Sequence, residues 1–270
     1  MKNPSGMPLA LVGAGNMGGA MLGGWLAQGL DPASILVIDP SPPQWVRTSG
    51  VQIAAAPPDG VVAGVLVLAV KPQIIASVLA SVASLAGRDT VAVSVAAGTT
   101  LASLEAGLGK GRAVVRTMPN TPALVRRGIT VACPNAAVRQ RQRARVNKLL
   151  LAVGKVEWVD DEALIDAVTA VSGSGPAYVF QLVEALAAAG AKAGLPERLA
   201  GVLARETVCG AGELLVRSEL TAAKLRENVT SPKGTTAAAL EVLMGENGLG
   251  ELMERAVAAA HKRAIELAKG

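Results

Sequence analysis

The apolar run Leu9-Ala10-Leu11-Val12 leads straight into Gly13-Ala14-Gly15-Asn16-Met17-Gly18, and a helical stretch from Gly19 to Gln28 follows. Strand, glycine-rich turn and helix in that order leave few folds open. Gly13 permits the tight turn, Gly15 lets backbone come close to a pyrophosphate, and Gly18 allows the helix to pack closely on the strand. The helix N-terminus then offers unpaired N–H groups and a positive dipole end to phosphates. We read Gly13, Ala14, Gly15, Asn16, Met17 and Gly18 as the cradle of a dinucleotide.

The pattern downstream agrees with a βαβ start. Short β-rich runs at 35–38, 65–70, 90–95 and 113–117 alternate with helical stretches, and further strands are expected at 129–133 and 156–159. This is the signature of an α/β protein with a mostly parallel sheet. The run from Val65 to Val70 is apolar throughout, as a central strand covered on both faces must be. After Asp160-Asp161-Glu162 the strand signals stop and long helices take over, so the expected division is a Rossmann-like domain over 1–160 and an all-helical domain over 161–270. The segment from Tyr178 to Ala193 is apolar almost all round. A small helical domain cannot bury such a helix alone, and a homodimer interface is expected there.

Composition excludes several classes. The apolar share of 51% supplies a core, but aromatics make only 2%, which leaves few platforms on which bases could stack. The net charge of +5 is densest at Arg139, Arg141, Arg143, Arg145 and Lys148. Val138, Val146, Leu149, Leu150 and Val153 give that segment an apolar stripe, so it reads as an amphipathic helix with a solvated basic face, and nucleic-acid binding is not expected. No run is long enough to cross a membrane, and the first six residues lack the features of a secretory signal, so a cytoplasmic location is expected. The two cysteines, Cys133 and Cys209, lack metal-ligand spacing, and no metal is expected.

Asp39 closes the second strand, where a Rossmann acid holds the adenine ribose 2′-hydroxyl and favours NAD(H). Ser41 follows and could take a 2′-phosphate through its hydroxyl and backbone. Far along the chain, Ser231-Pro232-Lys233-Gly234-Thr235-Thr236 places three hydroxyls and flexible amides before a helix. Such a turn suits a small anion.

These stretches, with Ala69-Val70-Lys71-Pro72, Ala96-Ala97-Gly98, Arg116-Thr117-Met118-Pro119-Asn120-Thr121-Pro122 and Ser172-Gly173-Ser174-Gly175-Pro176-Ala177-Tyr178, resemble pyrroline-5-carboxylate reductase in order and spacing. The resemblance spans essentially the whole chain. It implies reduction of 1-pyrroline-5-carboxylate to L-proline by NAD(P)H, the last step of proline biosynthesis, on a Rossmann domain followed by a helical dimerisation domain. It further implies homodimers that assemble into decamers. Ala69, Val70, Lys71 and Pro72 would line the nicotinamide-ribose side and Ala96, Ala97 and Gly98 the nicotinamide. Ser231 with the amides of Lys233, Gly234 and Thr235 would bind the substrate carboxylate, and the Thr236 hydroxyl would face the ring nitrogen as the catalytic group. The family more often has glycine at the position of Lys233. The cofactor implied is NADP(H), with NAD(H), which Asp39 favours, as the alternative.

Hydride transfer to a C=N bond needs positioning more than a strong acid, because a protonated imine is already electrophilic. The single histidine, His261, lies among alanines in the final helix and reads as a packing or surface residue. Two other readings compete. A hydroxyacid-type dehydrogenase of the same plan would use a lysine such as Lys192, and a dinucleotide sensor would bind without turnover.

Overall fold

The computed structural model describes residues 9–268, so the reading of the first six residues falls outside it. Its centre is an eight-stranded sheet in the order β3-β2-β1-β4-β5-β6-β7-β8. The strands are β1 (Leu9–Val12), β2 (Ile35–Ile38), β3 (Gln52–Ala54), β4 (Val65–Leu68), β5 (Val91–Ser94), β6 (Ala113–Met118), β7 (Gly128–Pro134) and β8 (Gly154–Trp158). All neighbours pair in parallel except β6 and β7, which are antiparallel. The sheet is therefore mostly parallel, as the sequence pattern predicts.

The four central apolar strands are buried along their full length because both faces are covered. Their side chains alternate between two cores. Leu9, Leu11, Val65 and Val67 point to one face, where they meet Met21, Leu22 and Trp25 of α1 (Asn16–Ala27). Ala10, Val12, Leu66 and Leu68 point to the other, towards α3 (Ile75–Val82) and α4 (Leu101–Leu108), the short α2 (Gln44–Arg47) lying earlier in the chain. The amphipathic α5 (Gln140–Leu150) buries Val146 and Leu150 on the first face. The basic residues predicted for its solvated side include Arg143, which lies over the Trp158 ring at 4.6 Å.

α6 (Leu164–Val168) buries Ile165 against Val131 and Cys133, and a π-helical turn, Thr169–Gly173, follows it. By their contacts the described residues form two compact units, one of residues 9–173 together with 261–268, the other of residues 174–260. The second unit is helical: α7 (Gly175–Lys192), α8 (Glu197–Arg217), α9 (Ala222–Asn228), α10 (Thr235–Met244) and the start of α11 (Leu249–Ala268). α7 and α8 approach closely at Gly190, where a Cβ would lie 3.3 Å from the Ala200 methyl. Among the described residues, no helix is long and apolar enough to cross a membrane.

Candidate active site

In the first unit, strand order reverses between β1 and β4, and that switch point is where open parallel sheets bind ligands, at their carboxyl edge. Four of the loops predicted to hold a cofactor leave this edge: those after β1, β2, β4 and β5. They are tied to one another by backbone. Gly13 N–H donates to the Ile38 carbonyl at 2.9 Å, Ala69 N–H to Val12 at 2.8 Å, and Val95 N–H to Leu68 at 3.1 Å.

The glycines of the first loop differ in what they permit. Gly13 sits at φ +88°, and a Cβ there would lie 2.8 Å from the Ala69 carbonyl oxygen. Gly18 is equally constrained, since a Cβ would run into the Gly13 carbonyl. At Gly15, by contrast, a Cβ would meet nothing within 4 Å. Gly15 is also the N-cap of α1 and supplies no side-chain acceptor, so the first N–H groups of α1 have no side-chain cap. Exposed Gly15 and Asn16, an open space and an uncapped helix end fit a pyrophosphate.

Asp39 stands at the adjoining loop with both carboxylate oxygens engaged. Oδ2 accepts from Ala14 N–H at 2.8 Å and Oδ1 from Ser41 N–H at 2.8 Å. The acid thus holds the glycine-rich turn as well as the loop that carries Ser41. After β4, Ala69 and Val70 are half-buried while Lys71 and Pro72 are exposed, with Pro72 opening a short 3-10 turn. After β5, Ala96 is buried, Ala97 and Gly98 are half-buried, and Gly98 takes φ +74°.

A further charged cluster at this sheet was not singled out from sequence. Arg116 on β6 is only 4% exposed and donates to Glu162 at 2.8 Å and to Asp166 at 3.2 Å. Glu162 Oε1 also accepts from Leu101 N–H, the first amide of α4, at 2.8 Å. The partners lie 46 to 61 residues apart, and no local pattern links them. Beside them, burial and the Glu162 charge push the Cys133 thiol above its usual range, with Arg116 opposing.

In the second unit, residues 231–236 form one turn that runs into α10. Gly234 N–H donates to the Ser231 carbonyl at 3.0 Å, closing a β-turn with Pro232 at its second position. Lys233, the third residue, takes φ +58°, which is the left-handed conformation that glycine adopts at least cost. A Cβ at Gly234 would meet the Ser231 hydroxyl, which would have to turn aside, and would lie 3.1 Å from the Ser231 carbonyl oxygen. The N-cap of α10 is Gly234, with no side-chain hydrogen bond. The leading amides of α10 consequently lack a side-chain acceptor, and Ser231, Lys233 and Thr235 are exposed beside half-buried Thr236. Lys192 is exposed in the last turn of α7, away from any such turn in sequence.

A glycine-rich turn at the switch point of a parallel sheet, with an uncapped helix behind it, defines a dinucleotide-binding protein of Rossmann type. Comparison with known proteins narrows the class. The family described as pyrroline-5-carboxylate reductase dimerisation matches residues 162–267, and that described as NADP oxidoreductase coenzyme F420-dependent matches residues 8–98. The chain is 45% identical to a pyrroline-5-carboxylate reductase of Pseudomonas aeruginosa, over 97% of each chain. It is 36% identical to that of Escherichia coli, over 97% of this chain and 98% of the relative. Among solved structures, a pyrroline-5-carboxylate reductase from Coxiella burnetii superposes with a TM-score of 0.91 at 37% identity, covering 98% of this chain and 99% of that one. A Plasmodium falciparum pyrroline carboxylate reductase solved with NADP bound gives 0.81 at 28% identity over 99% of each. The chain belongs to the pyrroline-5-carboxylate reductase family.

Proposed function

We propose that this chain reduces 1-pyrroline-5-carboxylate to L-proline, the last step of proline biosynthesis, with NAD(P)H as the hydride donor. The observation that carries the reading is the turn at 231–236: an uncapped helix start, flanked by hydroxyls, in a chain whose other unit presents a dinucleotide edge. NAD(P)H, when bound, would supply the hydride for a new C–H bond at the imine carbon. The C=N electron pair moves to nitrogen, which ends protonated.

The protein's part is to orient. Ser231 and the amides of Lys233, Gly234 and Thr235 hold the substrate carboxylate, which keeps the ring from rotating. Thr236 hydrogen-bonds the ring nitrogen and donates a proton or relays one from water. On the cofactor side, Gly13 to Gly18 take the pyrophosphate. Asp39 and Ser41 meet the adenine ribose, Ala69 to Pro72 the nicotinamide ribose, and Ala96 to Gly98 the nicotinamide. By role, residues 1–160 bind the cofactor, and 161–270 bind substrate and dimerise. NADP(H) is the cofactor assigned by family, with NAD(H), which Asp39 favours, as the alternative.

The assembly is a homodimer through the helical region, with dimers gathered into decamers. A cytoplasmic location goes with that biosynthetic role. The test follows oxidation of NADPH and of NADH with 1-pyrroline-5-carboxylate. Turnover is expected with at least one nucleotide, and no oxidation with either sinks the reading. Thr236→Val should lower kcat/KM roughly 10- to 1000-fold while leaving nucleotide affinity unchanged. Near wild-type kinetics in that variant remove Thr236 from the mechanism.

A further inference from the structure

The loop after β5 carries Ala96, Ala97 and Gly98 and ends where α4 begins. Its near end is held by β6, since the Thr117 hydroxyl donates to the Ser94 carbonyl at 2.8 Å. Its far end is capped in two ways. Thr100 Oγ1 accepts from Ser103 N–H at 3.1 Å, and Glu162 Oε1 accepts from Leu101 N–H at 2.8 Å. The first turn of α4 has no acidic residue of its own, so Glu162 is the carboxylate that meets its dipole. Glu162 is in turn held by Arg116, whose buried guanidinium is shared with Asp166. Among the described residues, Glu162 is the one that touches both the helix start and the arginine.

We propose that Glu162, held by Arg116, is a positioning residue for hydride transfer: it fixes the start of α4 and thereby the Ala96–Gly98 loop against the nicotinamide. The proposal rests on the reading that this loop faces the nicotinamide. Neither residue touches the reacting atoms. Their effect runs through the Leu101 amide, and a loop displaced by about 1 Å costs on the order of 100-fold in a hydride transfer that depends on alignment.

The experiment compares Glu162→Ala, Glu162→Gln, Asp166→Asn and Ala97→Leu in the full-length protein. Glu162→Ala leaves Arg116 paired with Asp166, so the buried cation is not orphaned. It should speed amide exchange at Leu101 at least tenfold, lower kcat about 10- to 100-fold, and raise the primary deuterium isotope effect measured with 4-deuterated NAD(P)H. Affinity for ADP, which lacks the nicotinamide, should not change. Glu162→Gln keeps an acceptor for the Leu101 N–H and should recover part of kcat. Asp166→Asn weakens the hold on Arg116 without touching Leu101, so it should lower the melting temperature and leave the isotope effect as in the wild type.

Wild-type exchange and isotope effect in Glu162→Ala overturn the proposal. So does an isotope effect in Asp166→Asn equal to that in Glu162→Ala, since the pair then acts only through general stability. Ala97→Leu tests the reading beneath: it should weaken NAD(P)H but not ADP. An unaffected Ala97→Leu protein removes the loop from the cofactor site, and the proposal falls on that ground instead.

Discussion

At the scale of single residues, the glycines show how one residue type serves different ends. Gly13 and Gly18 are required by the protein itself, because any side chain would strike the backbone of the loops beside them. Gly15 has no such neighbour, so its missing side chain leaves room for something outside the chain. Gly15→Ala should therefore fold normally, with a melting temperature within about 2 °C of wild type, while KM for the nucleotide rises about tenfold or more. A thermal shift comparable to that of Gly18→Ala, or an unchanged KM, contradicts the distinction. Lys233 is the opposite case, a side chain placed where glycine is the easy choice. A non-glycine residue in the left-handed region costs on the order of 1 kcal/mol. The turn tolerates that cost because Pro232 and the Gly234 to Ser231 hydrogen bond set the turn around it.

At the scale of elements, the sequence reading and the structure agree where a pattern is local. β1 and β2 match their apolar runs residue for residue, because four consecutive buried side chains between turn signals leave little ambiguity. β3 escaped notice: Gln52-Ile53-Ala54 is short, lies at the sheet edge and buries no residue fully. The antiparallel pairing of β6 with β7 is equally silent in sequence, since direction is decided by the path of the chain. The same contrast holds at the site. The glycine-rich turn is read from six adjacent residues, whereas Glu162 meets Leu101 from 61 residues away. Trp25 is another long-range tie: its indole N–H donates to the Leu149 carbonyl at 2.9 Å, joining α1 to the last turn of α5. Trp25 is 1% exposed. Trp25→Phe leaves that carbonyl without the indole N–H and opens a small void, so it should cost about 1 to 3 kcal/mol. The urea midpoint checks it, and an unmoved midpoint removes the tie from the account of stability.

At the scale of the molecule, the two units differ in how they bury apolar surface. The first unit encloses both faces of its sheet. In the second, α7, α9 and α10 contain no buried residue, and α8 buries only Ala200 and Ala204. Large apolar side chains stand exposed instead, Phe180 at 64% and Leu214 at 58% among them. Each would contribute about 1.5 to 3 kcal/mol if fully covered, so an isolated copy of this unit forgoes most of its hydrophobic stabilisation. Residues 162–267 match a dimerisation family, and we propose that a second copy covers that surface. It follows that stability of the helical unit is coupled to association, and the wild-type melting temperature should rise with protein concentration. Placing charges on two of these helices with Phe180→Glu and Val202→Glu should leave a monomer by sedimentation and lower the helical circular-dichroism signal. The sheet unit has its own core, so ADP binding should persist in the same variant. An intact dimer in the double variant would show that the exposed faces of α7 and α8 lie outside the interface. Loss of ADP binding together with the dimer would show that the first unit does not fold independently of assembly.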